Sequence, residues 1–482
     1  MAPKTREKTG GHLRPRTPLA RARLSVSLVL VLLTAGCSMF SSVSSALFGS
    51  GGPKPGQAGY VKGFLGDVVA DEPQAALIGK QVLSEGGDAA DAATAMAFSL
   101  AVTLPSRAGL GGGGACIAFI ADRDTAAHGI PEAVVFVSPP VRSVAGGDRP
   151  AAVPMLPRGM FLLHARYGRL PIEPLLSKAE QLARAGVPVS RALAKDLALV
   201  AGPLFGDPAA RATFGRGGVP LAEGQGLVQP DLAATLAELR VTGIGDMYQG
   251  VLAHRIEQAS PLAGVPIGFA DLRAAMPTLP TPVFVPYGDD RVAFPPTEGG
   301  LAAAAALISL RNQPADTQSA YARGLAAAGR WRAGGANSDQ ILNGELAMPA
   351  TTPLYPASTT FATLDPDGNA VICAVTMNNL FGTGRTLPGL GFIAAASPAM
   401  VTPPLLAVGL AWNESRHAFH AEAGGSGQAG AGLAAAVALM DAIHSGQPMP
   451  SPVPDPGRAN AIVCARYLPG SESSCYGAGD PR

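Results

Sequence analysis

The chain is poor in the residues that build metal sites, disulfide frameworks and charged surfaces. Its 482 residues include five cysteines, seven histidines and two tryptophans, and 15% of them are charged. A His-Glu-x-x-His segment and zinc-type Cys/His spacings are both absent, so we expect no metal. The sequence also lacks a Gly-Lys-Ser/Thr phosphate loop, a heptad pattern and an internal repeat, and we expect no cofactor.

Long apolar runs and a strong charge of one sign are missing as well. The apolar run from Leu24 to Leu33 is shorter than the roughly 20 residues that an ordinary membrane span needs. Residues 1–36 carry a net charge of +6, and their removal turns the formal +1 into −5. This mild acidity makes nucleic acid and anionic lipid unexpected partners. With 47% hydrophobic residues, the remainder predicts one large globular unit.

The N-terminal residues have the pattern of an export signal. Seven basic side chains precede the apolar run, which is followed by Thr34-Ala35-Gly36-Cys37. The Gly-Cys ending resembles a bacterial lipoprotein signal, which predicts removal of residues 1–36, lipidation of Cys37 and anchoring on the periplasmic side of a membrane. Residues 37–59, rich in Ser, Gly and Pro, then form a tether. The alternative is an ordinary secreted protein with an incidental cysteine.

The four other cysteines fall into two groups. Cys464 and Cys475 flank a Gly/Ser-rich loop, and an exported compartment would permit a disulfide between them. Cys116 follows a glycine run and Cys373 lies in a β-rich segment. We expect these two to be small buried side chains.

A β-hairpin with hydroxyl residues at its open end is predicted near the C-terminal quarter. The β-formers around Phe361 and from Ala370 to Met377 flank the turn Asp365-Pro366-Asp367-Gly368-Asn369. A three-residue loop places Ser358 opposite Thr376, whereas a four-residue loop places Thr359 there.

Such a hydroxyl pair suits an N-terminal nucleophile. Cleavage before a Ser or Thr frees an α-amine that acts as the base for the hydroxyl of the same residue. From the hairpin alone, a Thr-rich strand without catalytic function is the plainer interpretation.

Several segments, which follow one another in the same order as in the family, together resemble the gamma-glutamyltransferase family over most of the chain beyond about Tyr60. The segments are Asp71–Ala76, Gly86–Ala93, Gly109–Gly114, Tyr167–Pro171, Leu182–Gly186, Pro295–Gly300 and Phe381–Gly384. The resemblance implies an α/β protein with the four-layer αββα sandwich of the N-terminal nucleophile hydrolases. It also implies a precursor that cuts itself into a large region, 60–357, and a small region, 358–482, which stay associated.

The resemblance assigns site residues by a gapless count from the turn. The catalytic threonine of the family falls on Ser358, so the bond cut would join Ala357 to Ser358; a one-residue shift makes Thr359 the alternative. Thr376 takes the place of a threonine that hydrogen-bonds the nucleophile, and Asn378 that of an asparagine that contacts substrate. Gly424 and Gly425 resemble the pair whose amides form the oxyanion hole.

The sequence departs from the family at the residues that hold a γ-glutamyl group. Val137 stands near the place of the arginine that binds its carboxylate, and Met400 at that of the acidic residue that binds its amine. Leu406 and Ala407 correspond roughly to a carboxylate-binding serine pair. Burying a charged amino-acid head against such side chains would cost several kcal/mol. Arg385 is a candidate for a replacement cation, and a solvated loop arginine is the alternative.

Two functions fit this pattern. The first is a self-processing amidohydrolase or acyltransferase whose small-molecule amide or peptide substrate is less polar than glutathione. The second is a lapsed relative that acts as a binding or structural lipoprotein of the envelope.

The pattern of apolar residues along the chain predicts helices over 73–85 and 88–103 and a strand pair over 283–294. This pattern weakens between about Gln313 and Pro356.

Overall fold

The computed structural model describes residues 64–121, 129–144, 146–344, 357–449 and 451–480. The signal sequence, Cys37 and the tether lie outside these residues. Among the helices that are described, none is both long enough and apolar enough to cross a membrane.

Two antiparallel sheets form the centre of the protein. The strands are β1 (Asp67–Ala70), β2 (Gly113–Phe119), β3 (Glu132–Phe136), β4 (Val187–Pro188), β5 (Gly215–Arg216), β6 (Val219–Pro220), β7 (Gly226–Leu227), β8 (Val283–Tyr287), β9 (Asp290–Phe294), β10 (Ser358–Leu364), β11 (Ala370–Thr376), β12 (Ala407–Asn413), β13 (Ala418–Ser426), β14 (Arg458–Leu468) and β15 (Cys475–Gly479). The first sheet has the strand order β1-β10-β11-β2-β3 and the second the order β15-β14-β13-β12-β9-β8. Two further pairs of very short strands, β4-β7 and β5-β6, lie outside these sheets.

Helices cover the outer face of each sheet. Ile117, Ile372 and Leu410 belong to a buried cluster between the sheets, whereas Phe98 and Phe361 belong to the cluster under the helices of the first sheet. A third cluster joins the second sheet to its own helices. The predicted αββα sandwich is therefore confirmed. The helices are Pro73–Ser84, Ala89–Thr103, Leu156–Tyr167, Ile172–Ala185, Arg191–Leu204, Pro208–Phe214, Pro230–Thr242, Asp246–Gln249, Val251–Leu262, Phe269–Ala274, Glu298–Asn312, Thr317–Ala333, Ser338–Asn343 and Ala431–Ser445.

The first two helices begin and end where the sequence predicts. Gly86 has a φ of 89°, a conformation that glycine adopts without strain, and it separates the two helices. The Asp88 side chain accepts from the Asp91 amide while the Asp91 side chain accepts from the Asp88 amide, which is a capping box. The predicted helices over 73–85 and 88–103 and the strand pair over 283–294 are thus confirmed.

The helix Thr317–Ala333 was not predicted, because it lacks a stripe of large apolar residues. It packs on Glu298–Asn312 through small side chains. A Cβ at Gly324 would lie 2.8 Å from the Ala302 carbonyl oxygen, so the two helices approach each other closely at a glycine. The sequence pattern is indeed weak after Gln313, yet this stretch is helical.

Two disulfides are present in the described part of the chain. Cys464–Cys475 joins β14 to β15. Cys116–Cys373 joins β2 to β11, where the register pairs the two residues directly. The expectation that Cys116 and Cys373 are separate buried side chains is corrected: both are fully buried, but they are bonded to each other.

Candidate active site

The turn between β10 and β11 fixes which hydroxyls face each other. The Asp365 carboxylate accepts from the amides of Asp367 and Asn369 at 2.9 and 3.0 Å. The Asp365 amide in turn donates to the Asn369 carbonyl at 3.0 Å, which gives the three-residue loop. Ser358 therefore pairs with Thr376, which confirms one of the two predicted registers. Burial raises the pKa of Asp365 to about 6.

Ser358 and Thr359 point to opposite faces of the sheet, because side chains alternate along a strand. The Thr359 hydroxyl donates to the Asp71 carboxylate at 2.6 Å. Ser358 is fully buried, and its hydroxyl has no hydrogen-bond partner within the described structure. Of the two candidate nucleophiles, Ser358 is thus the one whose hydroxyl is not already engaged.

Thr376 contacts the peptide bond that precedes Ser358. Its hydroxyl donates to the Ala357 carbonyl oxygen at 2.7 Å and accepts from the Asn378 amide at 2.9 Å. The accepted bond orients the hydroxyl, so its proton points at the carbonyl. A donor at this position polarises the carbonyl that Ser358 would attack.

Asn378 is held by two hydrogen bonds. Besides its amide bond to Thr376, its side-chain Nδ2 donates to the Ala396 carbonyl at 2.8 Å. The residue has a φ of 62°, in the left-handed region, where Asn is one of the few tolerated residues. Asn378 is 5% exposed and lines a cavity together with Thr376.

This cavity, here the proline-lined cavity, has a volume of about 370 Å³ and walls that are largely apolar. Its polar lining residues are Thr376, Asn378, Ser138, Thr297 and Glu298, and Glu298 is paired with Arg332. The size suits a small-molecule ligand. Its apolar walls include Val137, Pro139, Pro296, Trp331, Pro403 and Leu406.

Four residues, Val137, Met400, Leu406 and Ala407, stand at the positions where the family is expected to bind a γ-glutamyl group. The structure does not bring all four of them to one cavity. Val137 and Leu406 both line the proline-lined cavity. Met400 is 68% exposed and lines a different cavity of about 460 Å³, and Ala407 is fully buried in β12. Arg385 forms an ion pair with Asp148 at 2.5 Å and does not line the proline-lined cavity.

Gly424 and Gly425 lie inside β13, which pairs with β12 on one side and β14 on the other. A Cβ at Gly424 would lie 2.8 Å from the Thr360 Cβ, and the Thr360 hydroxyl donates to the Gly424 carbonyl at 3.4 Å. Gly424 is therefore next to Thr360, which lies two residues after Ser358 in β10, whereas a Cβ at Gly425 would lie 2.0 Å from the Ala431 carbonyl oxygen. The oxyanion role of the pair stays a prediction.

Asp71 and Asn460 hold the start of β10 in place, and sequence reasoning did not single out either residue. Besides binding Thr359, the Asp71 carboxylate accepts from Asn460 Nδ2 at 2.8 Å, and the same Nδ2 donates to the Thr360 carbonyl at 2.9 Å. These bonds fasten the start of β10 to β14 and to the residue after β1. Asp71 lies in a segment that resembles the family, but its role depends on strands that are distant in sequence.

Metal ligands do not cluster near this site or elsewhere in the described ranges, where no group of three or more His, Cys, Asp or Glu side chains could hold an ion. The chemistry available here is thus a buried hydroxyl, a polarised peptide carbonyl and an adjacent apolar cavity.

Comparison with known proteins gives consistent matches. The sequence model described as Gamma-glutamyltranspeptidase matches residues 75–331. The Glutathione hydrolase proenzyme of Escherichia coli (strain K12) is 29% identical over 374 residues, covering 67% of this chain and 64% of that protein. The Acylase ACY 1 proenzyme of Pseudomonas sp. (strain SE83) is 32% identical over 251 residues, covering 48% of this chain and 45% of that protein. The chain thus spans less than two thirds of either relative.

A solved structure shares the fold over nearly its whole length. Cephalosporin acylase from Bacillus halodurans has a TM-score of 0.69 and 20% identity, and the match covers 90% of this chain and 97% of that one. At this level of identity the likeness concerns the fold, and it agrees with the two-sheet, four-layer architecture described above.

Proposed function

The chain belongs to the gamma-glutamyltranspeptidase family, and we propose that it is a self-processing enzyme that hydrolyses or transfers amide-linked acyl groups with Ser358 as its N-terminal nucleophile. The observation that carries this proposal is the contact from the Thr376 hydroxyl to the Ala357 carbonyl, beside the unpartnered Ser358 hydroxyl. The relatives named as proenzymes are consistent with a precursor that is cut.

Self-processing starts with the attack of Ser358 Oγ on the Ala357 carbonyl carbon. The carbonyl oxygen gains negative charge, which the Thr376 hydroxyl stabilises. The C–N bond breaks, the hydroxyl proton ends on the Ser358 nitrogen, and the two residues are joined by an ester. Water then cleaves the ester to a carboxylate on Ala357 and a free Ser358 with its own α-amine. This division gives regions 60–357 and 358–482.

The same residue then acts on substrates. The Ser358 α-amine accepts the hydroxyl proton as the oxygen attacks a substrate carbonyl, and the protonated amine supplies a proton to the leaving nitrogen. The acyl-enzyme is resolved by water or by an amine. In this scheme Gly424 and Gly425 hold the oxyanion, and Asn378 contacts the substrate.

The proposed acyl group is uncharged, unlike a γ-glutamyl group. Val137 and Leu406 line the cavity beside Thr376, where an arginine and a serine would meet a carboxylate in relatives that use one. A carboxylate placed against Val137 and Leu406 would lose its hydration without gaining a partner from either side chain. The cavity volume of about 370 Å³ accommodates a medium-length acyl chain.

Turnover of two matched amides tests this proposal. We expect the processed wild type to release para-nitroaniline from a hexanoyl amide faster than from a γ-glutamyl amide. Ser358→Ala should abolish both reactions, whereas Thr359→Val should leave the hexanoyl reaction measurable. Preference for the γ-glutamyl amide would contradict the uncharged pocket, and activity in Ser358→Ala would contradict the nucleophile.

A lapsed enzyme that serves as an envelope lipoprotein is the second candidate. The loss of the polar anchors and the position of Gly424 and Gly425 within an interior strand favour it. Absence of both self-cleavage and amide turnover in the purified wild type would support this candidate.

We also propose that the protein is an exported lipoprotein anchored through Cys37 on the periplasmic side. The two disulfides support export, because such bonds persist in oxidising compartments. Metabolic labelling with an alkyne fatty acid in a bacterial host tests the anchor. The wild type should be labelled and Cys37→Ala should not; equal labelling of both would contradict the proposal.

A further inference from the structure

Ser138 carries a buried hydroxyl to which nothing in the described structure is bound. The residue lies two positions after β3 and is 5% exposed, and its Oγ has no hydrogen-bond partner there. A buried hydroxyl without a partner lowers the stability of a fold, because it gives up its hydrogen bonds to water. Such a group calls for a use other than folding.

Ser138 lines the proline-lined cavity, where the other hydroxyl and carboxylate groups are already engaged. The hydroxyls of Thr376 and Thr297, the Asn378 Nδ2 and the Glu298 carboxylate all have hydrogen-bond partners. In the described lining of this cavity, Ser138 Oγ is the one buried side-chain nitrogen or oxygen that has none. A ligand in the cavity would supply the missing partner.

Ser138 lies in line with Ser358 and Thr376 across the first sheet. Ser358 pairs with Thr376, and Thr376 pairs with Gly113 of β2. A Cβ at Gly113 would lie 2.7 Å from Ser138 Oγ, so this hydroxyl occupies the place where a side chain of Gly113 would stand. Directly paired residues share a face of the sheet. The nucleophile, Thr376 and the Ser138 hydroxyl therefore form one row.

The length of this row sets how far a substrate must extend to reach Ser138. Two strand spacings separate Ser358 from Gly113, which amounts to about 10 Å. An acyl chain that continues for about five bonds beyond the carbonyl carbon covers roughly 6 Å. The bond from that carbon to Ser358 Oγ and a hydrogen bond to Ser138 cover the rest. Ser138 thus meets the far end of such a chain, away from the carbonyl that is attacked.

The charges around the cavity favour an uncharged group at Ser138. Glu298 is the one ionisable side chain in the described lining, and its carboxylate accepts from Arg332 Nε at 3.0 Å. An anionic group would be repelled by this carboxylate, and a cationic group would have to displace Arg332. A neutral amide meets neither obstacle, and a serine hydroxyl can both donate to it and accept from it.

We propose that Ser138 is a specificity-determining residue whose hydroxyl binds an uncharged hydrogen-bonding group, of the carboxamide kind, at the far end of the acyl chain. The hydroxyl turns toward the cavity about χ1, which has three staggered positions. That this group belongs to an acyl chain rests on the proposed function; the binding of a carboxamide at Ser138 does not. The substrate class is thereby narrowed to acyl groups that end in a neutral polar group.

Three para-nitroanilides of matched length test this proposal. Their acyl groups are 4-carbamoylbutanoyl, 5-methylhexanoyl and 4-carboxybutanoyl, which end in a carboxamide, an isopropyl group and a carboxylate of similar shape. Ser138→Ala should lower kcat/KM for the carboxamide about tenfold and leave the isopropyl compound within about twofold, because only the carboxamide loses a hydrogen bond. The carboxylate should be the poorest of the three substrates for the wild type.

Ligand NMR separates a failure of the site from a failure of the proposed function. Should the purified wild type turn over none of the three compounds, the proposed function is refuted, and titration of the same compounds into wild type and Ser138→Ala still tests the site. Binding of the carboxamide that is about tenfold weaker in Ser138→Ala, beside unchanged binding of the isopropyl compound, would retain the site. Turnover without any dependence on Ser138 would overturn the site and keep the function.

Thr94→Val is the matched control. Thr94 is also fully buried, its hydroxyl also lacks a partner within the described structure, and it does not line the cavity. Neither Thr94→Val nor Ser138→Ala should unfold at a lower temperature than the wild type, since each removes an unpartnered hydroxyl. Equal effects of Ser138→Ala on the carboxamide and isopropyl compounds, the same selective loss in Thr94→Val, or a wild-type preference for the carboxylate would each overturn the proposal.

Discussion

Replacing Thr376 by valine should slow the self-cleavage of the newly made chain. Valine keeps the shape of the side chain but removes the hydroxyl that donates to the Ala357 carbonyl at 2.7 Å. Both residues are buried, with Thr376 4% exposed and Ala357 fully buried, so water does not readily replace the lost donor.

The size of the effect follows from the difference between the ground state and the transition state. Removal of one donor to a developing oxyanion costs about 3 kcal/mol. The Thr376 bond already exists with the uncharged Ala357 carbonyl, so about 1 kcal/mol is also lost from the ground state. The remaining ~2 kcal/mol corresponds to roughly 30-fold slower processing.

Pulse-labelled chain followed over time on reducing gels gives the rate. Thr376→Ser keeps a hydroxyl and should process much closer to the wild-type rate. Thr363→Val is the matched control, because Thr363 is equally buried in β10 and donates to the Ala89 carbonyl at 2.8 Å, away from Ala357. Wild-type processing of Thr376→Val, or equal slowing of Thr363→Val, would refute the reasoning.

Three further outcomes follow from buried groups. Glu422 is buried without a hydrogen-bond partner in the described structure, and burial, followed by the charge of Asp67, raises its pKa well above 4.5. The stabilising contribution of protonated Glu422 to the unfolding free energy is therefore full below pH 4.5, and it falls as the pH rises toward the pKa of the folded protein. Glutamine does not titrate, so the unfolding free energy of Glu422→Gln relative to the wild type should increase by up to ~1.4 kcal/mol per pH unit over this range. Urea unfolding at a series of pH values measures the difference. Asp196→Ala strands the buried Arg107 guanidinium and should cost about 3–5 kcal/mol of unfolding free energy, also measured in urea. Cys116 and Cys373 lie on the two sides of the predicted cut, so the processed fragments should stay covalently joined on gels until a reductant is added.

Each of these outcomes has a control. The Glu422→Gln result is contradicted by a pH-independent difference from the wild type. Glu223→Ala removes an exposed partner 3.7 Å from Arg191 and should cost less than ~1 kcal/mol; a loss equal to that of Asp196→Ala would contradict the role of burial. On denaturing gels, the fragments of Cys373→Ser should separate without reductant. Separation of the wild-type fragments without reductant would contradict the Cys116–Cys373 disulfide.

The sequence carries much of the local structure of the site. The turn Asp365–Asn369 contains the residues that close it, and its sequence limits the residue opposite Thr376 to Ser358 or Thr359. The hydrogen bonds between Asp365 and Asn369 in the folded turn then select Ser358. The capped helix after Asp88 is equally local, because its cap lies within four residues.

The remaining features depend on strands that meet only in the folded sheets. Asp71 contacts Thr359 across 288 positions, and Cys116 bonds to Cys373 across 257. Such contacts follow from the strand order, which no local pattern specifies. Family resemblance supplied the expected roles of Gly424 and Asn378, which stay predictions, but it does not reveal hydrogen bonds specific to this chain.

Mapping of new N-termini after reduction tests the central claim most directly. The chain from about Tyr60 onward is purified, incubated, reduced so that the Cys116–Cys373 bond opens, and measured by intact mass and N-terminal sequencing. The account predicts a fragment that begins at Ser358, with a combined fragment mass that exceeds that of the reduced precursor by one water. A fragment that begins at Thr359, or a chain that stays uncut after long incubation, would contradict it.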